Sequence, residues 1–225
     1  MDRIDTLTSA LLAHFPLRDF DITVGARQYT LTTAEDIEQL INRITEEQFR
    51  VDERLPYWAE LWHSALALAE YLADIPDQLL NTRVLEIGCG LALPGIVAAA
   101  AGARLSCGDF EPLALLAAEL NLRRNVPEAP VDMRLMDFRD DPGERWPVIL
   151  AADVIYEQRF VEPLAAFLDR ATAPGGTIYL AEPNRLIAVP FFDALAARGF
   201  RYQRHGADTH LHSRTVEISI YTLTR

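Results

Sequence analysis

The chain has 225 residues, 50% of them apolar and 24% charged, which is enough for one domain with a sizeable core. Its net charge of −12 argues against general nucleic-acid binding, which needs a basic face. The start carries acids and lacks a signal-peptide profile, and no window is long and apolar enough to span a bilayer, so a cytoplasmic protein without membrane attachment is expected.

The first pattern, "FDITVGARQYT", alternates apolar and polar residues around Gly25 and predicts a hairpin. Thr32 and Glu35 have capping-box spacing, and Ile37, Leu40, Ile41 and Ile44 recur on one helical face. A second helix is expected through "AELWHSALALAEYLA", with Tyr57, Trp58 and Trp62 together at its start, ending near "DIPDQ". From Thr82 the pattern alternates. "RVLEIG", "ARLSCGD", "VDMRLMD", "PVILAADVIY", "GTIYLAEP" and "RTVEISIYTLTR" read as strands. "PGIVAAAA", "PLALLAAELNLRRN", "FVEPLAAFLDRAT" and "VPFFDALAARG" read as helices between them. His210 and His212 in "HLH" read as a solvated loop, because companion metal ligands are lacking. Cys89 and Cys107 show neither disulfide nor metal spacing and read as buried thiols. The whole predicts an α/β fold, a doubly wound, mostly parallel sheet over residues 81–225, with a helix-and-hairpin cap over residues 1–80.

Ligands of such sheets bind beyond the carboxyl ends of the strands. The first strand-helix turn is "EIGCGLALPG". Gly88 and Gly90 fit the start of a dinucleotide fingerprint, but Leu93 stands where the third glycine belongs and Gly95 comes too late. A P-loop needs a lysine, and the chain has none. Glu86, just before the turn, would repel a pyrophosphate. A ligand with a nucleoside end and a cationic end fits better, and S-adenosylmethionine is such a ligand. Asp109 ends the second strand at the distance where an acid accepts from ribose hydroxyls. Asp137 ends the third, with Phe138 beside it for an adenine ring. Each acid taken alone reads equally well as a helix cap.

With "EIGCG", "GDFEP", "MDF" and "ADVIY" in this order, the chain resembles class I, seven-β-strand S-adenosylmethionine methyltransferases. "DVIY" after the fourth strand and "PYWAELWHSALALAEYL" upstream resemble the protein-lysine branch, which includes the electron-transfer-flavoprotein β-subunit type. The likeness runs from about Pro56 to the C-terminus. It implies that Glu86, Gly88 and Gly90 form the turn near the methionine part and that Asp109 takes the ribose. Asp137 and Phe138 would border the adenine, Trp62 would pack near the cofactor, and Ala152 would line the floor. Asp153 and Tyr156 would face the methyl acceptor. "EPNR", Glu182 to Arg185, only loosely echoes a proline-glycine turn of some relatives.

The expected activity is methyl transfer to a lysine of a protein substrate. A small-molecule N-methyltransferase and a non-catalytic interaction module on the same fold are the alternatives. All basic side chains other than histidine are arginine, a composition that GC-rich coding accounts for.

Overall fold

A computed structural model describes residues 2–42 and 55–225. A short helix α1 (Arg3–Leu12) opens the chain, held by a capping box between Asp2 and Asp5. The hairpin follows as β1 (Leu17–Val24) and β2 (Arg27–Ala34), with Gly25 and Ala26 as its two-residue turn. The helix after it, α2 (Ile37–Ile41), is capped by Asp36, whose carboxylate accepts from Gln39 N at 3.2 Å. The capping box expected from Thr32 and Glu35 does not form. Thr32 belongs to β2, where it pairs with Asp19 of β1 while its backbone N–H is bonded to Asn121. Ile44 lies outside the described residues.

Tyr57, Trp58 and Trp62 do not share one helix. Residues Tyr57–Ala59 form a single 3₁₀ turn, Glu60 is extended, and Trp62 is the N-cap of α3 (His63–Ala73). Two short elements therefore separate the aromatics, and Pro56 sets the first of them.

The core then runs β3 (Arg83–Ile87), α4 (Leu93–Ala100), β4 (Arg104–Asp109), α5 (Pro112–Asn125), β5 (Val131–Leu135), β6 (Trp146–Ala152), α6 (Val161–Ala171), β7 (Thr172–Glu182), α7 (Ala188–Ala197), β8 (Arg201–Leu211) and β9 (Arg214–Thr224). The seven strands are ordered β5-β4-β3-β6-β7-β9-β8, with the first five parallel, β9 antiparallel to them, and β8, paired antiparallel to β9, running in their direction. The chain works outward from β3 through β4 to β5, then returns to β6 on the other side of β3. That reversal opens a crevice at the carboxyl ends of β3, β4 and β6.

Apolar strand runs supply both faces by alternation. Val84, Val148 and Leu150 pack with α3, α4, α5 and the hairpin, while Leu85, Ile87, Ile149 and Ala151 pack with α6 and α7. The N-terminal elements join the first of these clusters through Leu7, Leu11 and Leu31, so the cap and the sheet share one core.

β8 was not legible as a strand. "RYQRHGADTHL" is polar with a central glycine because it is an edge strand with mostly exposed side chains, paired only to β9. His210 lies on it, with Nδ1 3.0 Å from Thr215 Oγ1, and His212 is in the turn that follows.

Candidate active site

The turn after β3 is built on backbone that most side chains resist. Gly88 and Gly90 have φ of 58° and 49°, and a Cβ on Gly90 would lie 3.2 Å from the Trp58 carbonyl oxygen. The turn therefore passes tightly beneath the Tyr57–Ala59 segment. Gly95 matters for a different reason. Its N–H donates to Glu86 Oε2 at 3.0 Å, and a Cβ there would sit 2.3 Å from that oxygen. A carboxylate beneath the first turn of α4 requires glycine above it.

Glu86 is fully buried, and burial raises its carboxyl to about 8, the Gly95 N–H pulling the other way. Cys107 Sγ also donates to it, at 3.8 Å. Cys89 and Cys107 are both free and buried.

Asp109, at the end of β4, holds the turn in place. Its Oδ2 accepts from Gly90 N at 3.1 Å and its Oδ1 from Glu111 N at 3.0 Å. It is not the cap of α5, since Glu111 stands at that position and makes no side-chain cap bond. Burial raises Asp109 to about 6. The Phe110 N–H also bears on it, and the carboxylate still keeps a lone pair to offer a ligand hydroxyl.

A narrow cleft of about 110 Å³ opens on this turn. Trp62, Glu86, Gly88, Gly90, Asp109, Phe138, Ala152, Asp153 and Tyr156, all singled out from sequence, line it. Asp137 does not. It borders a smaller neighbouring pocket with Phe138 and is tied to Arg139 by a salt bridge and by a 2.8 Å bond from the Arg139 N–H. An outer cavity of about 470 Å³ shares Leu55, Tyr57, Trp62, Asp153, Tyr156 and Glu157 with these pockets and adds Arg185. Together the cleft and the outer cavity fall in the range of about 300–1,000 Å³ usual for small-molecule sites.

Asp153 stands at the junction. β6 ends at Ala152, and Asp153 turns off the sheet at φ 58°, a left-handed position that aspartate tolerates better than most residues. Its N–H still donates to Ala181 O at 2.9 Å. Its Oδ2 accepts from Ser64 Oγ at 3.1 Å, and its Oδ1 is in a salt bridge with Arg185. It does not cap α6, which begins eight residues later behind Phe160. Tyr156 packs edge-on to both Tyr57 and Phe160, with centroids 5.8 and 6.0 Å apart. Burial, and then Glu157 beside it, push its phenol well above the usual range.

Tyr57 and Arg185 also wall the site, and Ser64 supports it from outside the cavities. Tyr57 is half exposed and walls both cavities. Its carbonyl accepts from Trp62 Nε1 at 2.9 Å, which fixes the indole. Ser64 and Arg185 bind Asp153 from elements remote in sequence, and no local spacing signals that meeting.

The chain is 28% identical to the Electron transfer flavoprotein beta subunit lysine methyltransferase of Homo sapiens, over 76% of this chain and 60% of that one. It is 36% identical to Protein N-lysine methyltransferase METTL21A of Xenopus tropicalis, over 49% of this chain and 54% of that one. It spans about half the length of the curated relatives it matches. Among solved structures, the 16S rRNA methyltransferase RsmC of T. Thermophilus superposes with a TM-score of 0.62 at 17% identity, covering 93% of this chain and 50% of that one. Magnesium protoporphyrin IX methyltransferase of Synechocystis PCC 6803, with bound SAH, gives 0.60 at 13%, covering 84% and 100%. At such identities these structures establish the fold, the Rossmann-like sheet expected from the sequence. The family model described as "Lysine methyltransferase" matches residues 33–197, from the end of the hairpin to the end of α7, and the chain therefore belongs to that family.

Proposed function

We propose that the chain transfers a methyl group from S-adenosylmethionine to the side-chain amine of a lysine in a protein substrate. The observation that carries this reading is Asp153. Its carboxylate lies where the inner cleft meets the outer cavity, ringed by Tyr57, Trp62 and Tyr156. An anion inside aromatic walls selects a cationic group arriving from outside.

The cleft suits the cofactor. In this reading Asp109 accepts from the ribose hydroxyls, and Glu86, Gly88 and Gly90 border the methionine part. Phe138 lies along the adenine with Asp137 at its rim, Trp62 covers the site, and Ala152 forms the floor. Bound there, S-adenosylmethionine supplies a methyl on a sulfonium that departs as an uncharged thioether.

The protein's work is then orientation and desolvation. The lysine nitrogen must shed one proton to solvent water before its lone pair can form the N–C bond as the S–C bond breaks. With a reference pKa of about 10.4, neutral amine at pH 7 costs roughly 4–5 kcal/mol. A site beside the sulfonium, walled by aromatics, lowers that cost. Asp153 orients the incoming ammonium. Tyr156, its phenol held protonated, offers an uncharged oxygen to the same nitrogen and does not act as a phenolate base.

The test is incubation with S-adenosylmethionine labelled in the methyl group, using a lysate split into protein and small-molecule fractions. Label recovered as methyl-lysine in protein supports the reading. Label confined to small amines would establish the small-molecule alternative, and failure to bind the cofactor would leave an interaction module.

A further inference from the structure

We infer that Arg185 is a displaceable counter-ion, which holds Asp153 until the acceptor's ammonium takes its place and so restricts the site to cationic acceptors. The inference rests on the lysine reading above. A carboxylate as enclosed as Asp153, with its side chain 9% exposed, is costly to keep charged without a partner. The chain supplies one. The Arg185 guanidinium lies on Oδ1 from the wall of the outer cavity, while Ser64, itself buried, occupies Oδ2 from behind. Oδ1 is thus the oxygen that faces arrivals, and a cation already sits on it.

The surroundings allow that cation to leave. The backbone beneath it is fixed. Arg185 N donates to Glu182 Oε2 at 2.9 Å, and Asn184 is pinned by its Nδ2 on Glu217 O at 3.0 Å and by Arg204 and Ser219 on its Oδ1. The side chain is not fixed. Asp153 is its one hydrogen-bonded partner among the described residues, and it is 32% exposed. It can swing into solvent without disturbing the loop. Leu186, next in the chain, is 89% exposed, so the loop itself faces solvent on that side. Arginine also suits the role chemically. A guanidinium does not deprotonate in proteins, so it can wait beside a methyl donor without offering a nucleophilic lone pair.

A neutral acceptor gains nothing from Asp153, whereas an ammonium exchanges one charge-assisted bond for another. The chain loaded with S-adenosylhomocysteine would be titrated by NMR with N-acetyl-lysine methylamide and with its neutral analogue N-acetyl-norleucine methylamide. Arg185→Ala and Arg185→Met, the latter keeping most of the stem, are each expected to bind the lysine probe about tenfold or more tightly than the wild type. The norleucine probe should not respond. Adding Asp153→Asn to Arg185→Ala should abolish the gain. Unchanged or weaker lysine binding in both variants, with melting temperatures preserved, would overturn the exchange and make Arg185 a fixed support, leaving the lysine reading intact. Equal binding of the two probes to the wild type would remove the lysine reading and the exchange with it.

Discussion

Asp153 and Asp109 separate two jobs that their positions make testable. Asparagine tolerates the left-handed backbone of Asp153 as well as aspartate does, so Asp153→Asn should fold normally. It is expected to lower methyl transfer about 100-fold, and Tyr156→Phe about tenfold, both with S-adenosylmethionine affinity little changed. Parallel loss of binding and turnover would put these residues on the cofactor side. Asp109 should behave in the opposite way, with pH exposing it. Burial holds it near 6 without ligand, and hydroxyls donating to it favour the charged form. Binding should therefore release a proton near pH 6, and affinity should rise from pH 5 to about 7 and then level off. Calorimetry in two buffers of different ionisation heat reads the proton directly, and uptake instead of release would contradict the ribose role.

At the scale of elements, the β3 turn and α4 are joined through Glu86 and Gly95. Glu86 titrates at about 8 when folded against 4.5 as a free side chain. A raised carboxyl is stabilising while protonated, so this contribution is lost as pH rises from about 4.5 through 8. Melting temperature of the cofactor-free chain should fall across pH 6–8 more steeply in the wild type than in Glu86→Gln. Gly95→Ala, which places a methyl into the carboxylate, should cost about 1–3 kcal/mol by denaturant unfolding. These elements were plain in the sequence because β3 is an apolar run closed by Gly88 and α4 an apolar run opened by a proline, Pro94. β8 was not, since an exposed edge needs no apolar pattern. The capping spacing of Thr32 and Glu35 misled because Asn121, nearly ninety residues away, decides the conformation there. Likewise, the strand ends gave up Glu86, Asp109 and Asp153 as candidates, but Ser64 and Arg185 reach Asp153 by tertiary packing alone.

For the whole molecule, every ion pair described between side chains uses a guanidinium, since the chain has no lysine. Incubated alone with labelled cofactor, it should carry no methyl-lysine. Arg185→Lys would put an amine at the Asp153 carboxylate, and peptide mass spectrometry is expected to find residue 185 methylated. An unmodified lysine there would count against an amine-accepting site at that point. The fully buried amide of Asn121 also joins the cap to the sheet. Asn121 accepts from Thr32 N at 2.7 Å and donates to both Thr32 O and Leu91 O at 3.2 Å, linking the hairpin to the turn that carries Gly88 and Gly90. With both Nδ2 protons engaged away from water, that side chain is a built-in spectroscopic reporter. Its resolved amide resonances should exchange slowly with solvent and shift when a ligand settles on the turn, signalling occupancy from inside the fold without any label attached.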